Sequence, residues 1–285
     1  MSIISRVAAT PEHLPKGYAS PRPTKPILKW AGGKQALAQR LVQALPTDFH
    51  RYFEPFVGGA SVFLQLQPKQ AVLSDQNDWL MDTYVETRDH CDQVAAVLLR
   101  LPNTRRDYLR IRSLDPRRLH PVHRAAHLIY LNKTCFRGLF RVNRVGQFNV
   151  PYGEYNRRYF DPENLRRVSQ RLEAVDLRRG DFEFGLDGIT AGDFAYLDPP
   201  YYKLGGYSDF NRYTPGQFRE GDHVRLAAVC RELDSRGVRW ALTNSDTPLV
   251  RALFQGFRFR SISARREINL APSKRDIVEL LVTNY

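Results

Sequence analysis

Cysteine is scarce in this chain of 285 residues, and the three that are present lie far apart. Cys91, Cys135 and Cys230 form no Cys-x-x-Cys pair and no cluster with histidine, so the sequence predicts no structural metal site. No charged segment followed by an apolar run opens the chain, and apolar runs such as Val94–Leu99 are too short to span a bilayer. We therefore expect a cytoplasmic protein that is neither secreted nor inserted into a membrane.

Acidic side chains are also in short supply, because 30 Asp and Glu stand against 43 Lys and Arg for a formal net charge of +13. The imbalance is concentrated between positions 100 and 160, where 14 basic residues meet three acidic ones and carry +11 of that charge. A short charge run is usually only a solvated surface. A segment that holds most of the net charge instead favours contact with the phosphates of a nucleic acid.

The order of the apolar patterns predicts an α/β fold. Five prolines within residues 1–26 predict a flexible or extended leader. Apolar spacing near 3.6 predicts helices between about residues 77 and 174, and strands that alternate with helices are predicted on both sides of that stretch. Such alternation predicts a mostly parallel sheet covered on both faces. We therefore predict one α/β domain from residues 27–77 and 162–285, and an inserted helical domain at 78–161 in which residues 135–150 form a basic hairpin or loop.

The most informative tetrapeptide is Asp198, Pro199, Pro200 and Tyr201, which follows the predicted buried strand Phe194–Leu197. Proline fixes its own φ and has no amide hydrogen, so the carbonyl of Pro199 is held at a set angle beside the Asp198 carboxylate. Two acceptors and one aromatic face suit a planar base that carries an exocyclic amine. The same tetrapeptide is also an ordinary end for a strand, with the tyrosine as a packing residue.

The apolar run from residue 51 to 57 predicts an earlier strand, which leads into a glycine turn within Glu54–Ala60. Glycines let a ligand approach the backbone, and Asp75, at the end of the next predicted strand, can accept hydrogen bonds from ribose hydroxyls. The dinucleotide fingerprint would need a third glycine near Phe63, and its absence argues against a nucleotide-dependent oxidoreductase. The pattern predicts a nucleoside cofactor without a pyrophosphate.

Two further segments are candidates for the same ligand. Lys29 to Lys34 (KWAGGK) combine an aromatic ring, a tight turn and two cations, but their spacing is not that of a phosphate-binding loop. The alternative for this segment is a helix-capping turn with a buried tryptophan. Asp181, followed by Phe182, could pair with an adenine amine and cover its ring.

Four segments together resemble the Dam-like (D12 class, alpha group) site-specific DNA adenine methyltransferases. They are KWAGGK at 29–34, FEPFVGGASVF at 53–63, FNVPYG at 148–153 and DPPY at 198–201, in that family's order. The resemblance extends from about Ile27 to Tyr285. It implies a Rossmann-like methyltransferase sheet with an inserted target recognition domain, and transfer of a methyl group from S-adenosylmethionine to the exocyclic amine of a flipped adenine in duplex DNA.

The resemblance also implies roles for particular residues. The implied catalytic residues are Asp198, Pro199, Pro200 and Tyr201. The implied cofactor contacts are Trp30, Lys34, Phe56, Gly58, Asp75, Asp181, Phe182 and Asp198. The implied DNA contacts are Lys29, Phe136, Arg137, Leu139, Arg141 and Asn149. No metal is expected, since a sulfonium already supplies the leaving group.

The chain departs from the family at one point that bears on the recognised sequence. Members that recognise GATC commonly carry an aromatic-Asn-Gly-Leu run, whereas this chain has Arg137 between Phe136 and Gly138. Arg137 and Arg141 could each bond a guanine edge, or they could contact only phosphate. The recognised sequence is therefore left open.

Three other functions stay open beside adenine methylation in DNA. Methylation of a cytosine amine or of adenine in RNA could use the same tetrapeptide, although the order of the motifs and the FNVPYG segment favour DNA adenine. A non-catalytic DNA-binding relative would be expected to have a damaged tetrapeptide or cofactor turn, and both are intact. We further expect a monomer that acts on double-stranded DNA in a prokaryotic or phage-infected cell, with a cognate restriction endonuclease as a possible partner.

Overall fold

One seven-stranded sheet organises the molecule, with the strands in the order β3-β2-β1-β4-β5-β7-β6. A computed structural model describes residues 23–30, 32–202, 218–265 and 276–285. The strands are β1 Tyr52–Glu54, β2 Ala71–Asp75, β3 Val175–Arg179, β4 Phe194–Leu197, β5 Arg239–Asn244, β6 Arg258–Arg265 and β7 Asp276–Thr283. The five strands from β3 to β5 run parallel, and β7 is antiparallel to both of its neighbours.

Helices connect the strands, and two short 3₁₀ turns, Pro116–Arg118 and Phe136–Gly138, lie in the longest connection. The helices are α1 Ala38–Ala44, α2 Ser61–Leu66, α3 Asp78–Asp89, α4 Cys91–Leu99, α5 Arg105–Arg112, α6 Pro121–Thr134, α7 Pro162–Leu172, α8 Phe182–Gly185, α9 Glu220–Ser235 and α10 Pro248–Leu253. None of those in the described part of the chain has the length and apolar character that crossing a bilayer requires.

The sheet is covered on both faces, which confirms the predicted α/β fold. Successive residues of a strand point to opposite faces. Tyr52 and Tyr196 are buried in a cluster that includes α1, α2 and α3, and we call this side the first face. Phe53 and Trp240 are buried in a second cluster with α8, α9 and α10, which defines the second face.

The observed strands differ from the sequence pattern in three places. β1 is three residues long, shorter than the predicted run from residue 51 to 57, because Pro55 cannot donate a ladder hydrogen bond and a turn follows it. β3 ends two residues before Asp181, and the apolar pattern gives no bounds for that strand. The pattern also predicted a mostly parallel sheet without showing that β7 runs in reverse between β5 and β6.

Between β2 and β3 the chain forms the five helices α3 to α7 and a small hairpin. α3 contacts β2 and β3 as well as α6 and α7, whereas α4 and α5 contact α6. The side chains of this region belong to the same buried cluster as the first face of the sheet. Because that core is continuous, the division at residues 78 and 161 stays a prediction.

The predicted leader lies mostly outside the described residues, which begin at position 23. At its end, the Lys25 backbone amide donates to Asn164 Oδ1 over 2.9 Å, and Asn164 Nδ2 donates to the Lys25 carbonyl over 2.8 Å. These two hydrogen bonds attach residue 25 to α7.

Candidate active site

Asp198 lies just beyond the end of β4, at the carboxyl edge of the parallel strands. Its Oδ1 atom is 2.7 Å from Lys34 Nζ and accepts a hydrogen bond of 2.8 Å from Thr243 Oγ1. Alternation along the strands directs Asp198, with Tyr196, and Thr243, with Ala241, toward the first face. The carboxylate is therefore held from two sides, by Lys34, which precedes α1, and by Thr243 of β5.

Lys34 brings a buried positive charge to this edge. Its side chain is 3% exposed and also donates to the Gly32 carbonyl over 2.8 Å. Nζ lies 4.6 Å from the centroid of the Tyr201 ring and 3.7 Å from Glu279 Oε2. The ammonium thus contacts two carboxylates and one aromatic face, an arrangement that compensates its burial.

Tyr201, the last residue of the tetrapeptide, is held through its hydroxyl. The hydroxyl donates a 2.7 Å hydrogen bond to Glu279 Oε2, from β7. Burial, reinforced by the negative charges of Asp198 and Glu279, raises the pKa of Tyr201 far above its usual range. The residue is therefore a neutral hydrogen-bond donor, and its ring is fixed at one end by Glu279.

A second tyrosine extends the contacts of Asp198 into the core. Tyr196 Oη lies 2.9 Å from Thr243 Oγ1, and both residues are fully buried. Because the threonine hydroxyl has one hydrogen and gives it to Asp198, the tyrosine must be the donor to the threonine. Tyr196, Thr243 and Asp198 form a chain of hydrogen bonds directed at the carboxylate.

The predicted glycine turn and Asp75 are brought together as the sequence suggested. Asp75 Oδ2 accepts from the Gly58 amide over 3.2 Å, and Oδ1 accepts from the Asn77 amide over 2.9 Å. Burial raises the pKa of Asp75 to about 6, against these hydrogen bonds, which lower it. Gly58 has φ +45°, and a Cβ there would lie 2.8 Å from Trp30 Cδ1. Only glycine fits this close approach.

The segment that contains Trp30 and Lys34 forms a tight turn before a helix, with Trp30 partly buried. The Gly33 amide donates to the Trp30 carbonyl over 2.9 Å, and the chain then enters α1 through amides that bond to the Lys34 carbonyl. The Trp30 ring stacks on Phe140 at 5.0 Å between centroids and lies against Gly58. The segment is therefore a tight turn that leads to a helix and also places Lys34 at Asp198.

Phe56 and Phe182 meet on the second face, near the start of α8. Their rings are stacked with centroids 5.5 Å apart, and Phe218 packs edge-on against Phe56 at 5.7 Å. Asp181 Oδ1 accepts from the Glu183 amide over 3.1 Å and so caps α8, while its Oδ2 accepts from Arg225 over 2.8 Å. The structure thus joins these predicted cofactor residues in one aromatic and acidic group.

Glu54 is a buried carboxyl that the sequence pattern did not assign. It lies on the first face with Tyr52, whose hydroxyl donates to Glu54 Oε2 over 2.9 Å. Burial raises the pKa of Glu54 from an ordinary 4.5 to about 8, and the nearby charge of Asp198 adds to the shift. The raised pKa favours the protonated carboxyl, which limits the negative charge beside Asp198.

The predicted DNA contacts at residues 136–139 lie on and just after the 3₁₀ turn Phe136–Gly138. Phe136 is 45% exposed, and Arg137 adopts the left-handed backbone conformation with φ +59°. The Arg137 amide donates to the Tyr155 hydroxyl over 2.9 Å, and its guanidinium lies 5.1 Å from the Phe136 ring centroid. An exposed aromatic and an exposed arginine are therefore presented side by side, with Leu139 partly buried beneath them.

Two further contacts anchor the turn and the hairpin that follows it. Asn132 accepts from the Lys29 amide over 2.7 Å and donates to the carbonyls of Lys29 and Gly138 over 2.7 and 3.2 Å. Arg141 Nε donates to Asn149 Oδ1 over 2.7 Å, across a hairpin closed by the pairing of residues 142 and 148. The first contact joins the KWAGGK segment to the turn, and the second orients an exposed arginine.

Comparison with known proteins identifies the family of this chain. Residues 30–268 match the family of D12 class N6 adenine-specific DNA methyltransferases, and the chain belongs to that family. It is 37% identical over 271 residues to the type II methyltransferase M1.LlaDCHI of Lactococcus lactis subsp. cremoris, which covers 92% of this chain and 95% of the relative. It is 38% identical to the type II methyltransferase M.MjaIII of Methanocaldococcus jannaschii, covering 92% and 99%. A DNA adenine methylase of Haemophilus influenzae is 28% identical over 92% of this chain and 93% of its own length.

The predicted family and activity are thereby confirmed, and the chain is a DNA adenine methyltransferase that uses a methyl donor and acts on DNA. The roles of individual residues stay predictions. The sequence pattern missed Thr243, Glu279 and Tyr196. Because side chains alternate along a strand, Tyr196 could have been placed on the same face as Asp198 from the sequence. No local pattern links Thr243 or Glu279 to the tetrapeptide.

Proposed function

We propose that the methyl donor is S-adenosylmethionine and that Asp198 binds the target amine. Among the described residues, both side-chain contacts of Asp198 use Oδ1. Oδ2 would then accept one hydrogen of the amine, and the carbonyl of Pro199 would accept the other. This held carboxylate is the observation that carries the proposal.

The residues around the glycine turn fit S-adenosylmethionine. Asp75 is fixed by two backbone amides and has the acceptor capacity that ribose hydroxyls need. The adenine would lie against the partly exposed Phe56, which is backed by the buried Phe182, and Asp181 beside them would accept from its amine. When bound, S-adenosylmethionine supplies an activated methyl group on a sulfonium.

The amine of adenine is a poor nucleophile because its lone pair is delocalised into the ring. Acceptors at Asp198 Oδ2 and the Pro199 carbonyl draw both amine hydrogens to one side and favour a more tetrahedral nitrogen. With both hydrogens held, the nitrogen lone pair would attack the methyl carbon, the sulfur would keep the electron pair of the bond that breaks, and the nitrogen would give up one proton to solvent during or after transfer. Asp198 acts by orientation and electrostatics.

The target base must leave the duplex to reach this edge, which costs a few kcal/mol. We propose that Tyr201 stacks on the flipped adenine, with Pro200 keeping the turn rigid. Residues 78–161 would form the recognition domain, with Phe136 wedging into the base stack, Arg137 and Arg141 reading base edges, and the residues Lys29, Leu139 and Asn149 supporting them. The exposed placement of Arg137 and Arg141 supports this assignment.

We further propose action as a monomer in the cytoplasm. One chain carries both the reacting edge and the basic hairpin, which supports a monomer. The type II names of two relatives support the existence of a cognate restriction endonuclease.

The test is to incubate the purified protein with S-adenosylmethionine and unmethylated genomic DNA and to map modified bases by single-molecule sequencing. We expect N6-methyladenine at one short recurring sequence and none with Asp198→Ala. Methylcytosine, or methylation of RNA alone, would contradict the assigned substrate. Binding of the cofactor without any methylation would favour a silent relative.

A further inference from the structure

We infer that Glu279 is a positioning residue that sets the plane of the Tyr201 ring and the place of the Lys34 ammonium. The inference rests on the proposed roles of Tyr201 and Asp198. Glu279 acts through Tyr201 and Lys34, the two side chains that it contacts beside Asp198.

The reversed direction of β7 explains how Glu279 reaches this edge. The site lies at the carboxyl ends of the parallel strands, so the first residues of a parallel strand lie at the other end of the sheet. β7 is antiparallel, so its first residues lie beside the carboxyl end of β5, with Leu280 in register with Asn244. Glu279 shares the first face with Leu281, toward Tyr201 and Lys34.

The contacts of Glu279 are those of a buried group with a fixed geometry. Its side chain is 10% exposed, Oε2 accepts from the Tyr201 hydroxyl over 2.7 Å, and the same oxygen lies 3.7 Å from Lys34 Nζ. A hydrogen bond to an ionised carboxylate is stronger than a neutral one. Leaving either partner unpaired in a buried site is costly, so the arrangement resists displacement.

These contacts restrict Tyr201 at two points. Glu279 holds the hydroxyl end of the ring, and Lys34 lies 4.6 Å from its centroid. A base that stacks on Tyr201 therefore meets a ring of fixed plane, at a fixed distance from the Asp198 carboxylate. Misplacement of a stacked amine by a fraction of an ångström lowers the rate of transfer more than the affinity for DNA.

The experiment compares Glu279→Ala, Glu279→Gln, Tyr201→Phe and the double variant Tyr201→Phe/Glu279→Ala, in steady-state kinetics with a duplex that contains the recognised sequence. We expect Glu279→Ala to lower kcat by about tenfold with KM for DNA within about twofold, as befits a residue whose effect is confined to the bound complex. Glu279→Gln keeps an acceptor for the hydroxyl and should recover most of the rate. In the Tyr201→Phe background, Glu279→Ala should cost clearly less than it does alone, since the shared hydrogen bond is already gone.

A second readout reports on the base rather than on the rate. With 2-aminopurine in place of the target adenine, stacking on Tyr201 should quench part of the emission of the flipped base. We expect brighter emission with Glu279→Ala than with the natural protein, and no change with Val278→Ala. Val278 is the neighbouring residue of β7 and is 54% exposed, so it controls for trimming a side chain of this strand.

Unchanged kcat and emission in Glu279→Ala would overturn the inference. So would full additivity with Tyr201→Phe, or failure of Glu279→Gln to recover activity. Should Glu279→Ala fail to fold, the remaining single variants, Glu279→Gln and Tyr201→Phe, decide the question by the same readouts. Tyr201→Ala distinguishes a failure of the proposed role of Tyr201 from a failure of the inference about Glu279. Normal turnover by Tyr201→Ala would contradict the role of Tyr201 itself. Loss of turnover there, with normal Glu279 variants, would overturn only this inference.

Discussion

Lys34 and Arg141 are two cations in very different surroundings. Lys34 is 3% exposed and lies between the carboxylates of Asp198 and Glu279. Arg141 is exposed and is oriented by a neutral partner, Asn149. The buried Lys34 interacts with carboxylates of the protein itself. The exposed Arg141 can offer its charge and most of its hydrogen-bond donors to a ligand.

The same contrast separates the two regions in which these cations lie. Around Asp198, side chains from β5, from β7, from the turn after β4 and from the segment before α1 constrain one another. In the hairpin at residues 139–150, the backbone is held while the arginine heads are exposed. We therefore expect changes at the first region to affect the rate on every DNA sequence, and changes at the second to affect the choice of sequence.

The largest effect should come from Asp198→Ala. Removing an acceptor preorganised for the reacting amine should lower single-turnover methyl transfer by about a thousandfold, while duplex binding is retained. Transfer of labelled methyl groups and fluorescence anisotropy with a labelled duplex measure the two properties. Turnover near that of the natural protein would show that Asp198 has been assigned wrongly.

Arg141→Ala should change specificity instead. If Arg141 reads a base edge, its loss should cost about 1 to 3 kcal/mol at one base pair and relax discrimination there. A panel of duplexes with single substitutions measures this pattern. Arg144→Ala, at another exposed arginine of the same hairpin, is the matched control and should weaken all duplexes evenly. An even loss with Arg141→Ala as well would mark Arg141 as a phosphate contact.

Thr243→Val should have a smaller effect, and like other changes around Asp198 it should lower kcat on every DNA sequence. Valine keeps the shape but removes the hydrogen bond to Asp198, so kcat should fall about tenfold on all sequences, equivalent to about 1.4 kcal/mol. Thr243→Ser restores the hydroxyl and should recover most of the rate. A change in sequence preference with Thr243→Val would break the distinction between the two regions.

The smallest effect should be the dependence of cofactor affinity on pH. Because the pKa of Asp75 is raised to about 6, the free protein loses this charged acceptor as pH falls through 6. Ribose hydroxyls bind the ionised form better, so affinity for S-adenosylmethionine should fall about fivefold between pH 7 and pH 5. Isothermal titration calorimetry measures this change, and Asp75→Asn should bind weakly with a flat pH profile. An affinity of the natural protein that does not change with pH would contradict the proposed contact between Asp75 and the ribose.

Local sequence determined the pieces of the site that lie on one strand end or one turn. The apolar run before Asp198 and the two prolines after it predict a strand that stops at a carboxylate, and the glycines after Glu54 predict a close approach of backbone to ligand. The structure confirms the strand Phe194–Leu197 and packs Gly58 tightly against Trp30, while the approach of a ligand to this turn stays a prediction. These features depend on φ restrictions and on side-chain alternation, which act between near neighbours.

Tertiary structure alone decided which distant residues complete the site. Thr243 lies 45 positions from Asp198, and Glu279 lies 78 positions from Tyr201, yet both pairs share a hydrogen bond. The antiparallel direction of β7, which no local pattern showed, brings Glu279 to the reacting edge. Composition and motifs determined the family and its chemistry, and the order and direction of the strands decided how the reacting groups are held, because partners far apart in the chain are chosen by the packing of the whole sheet.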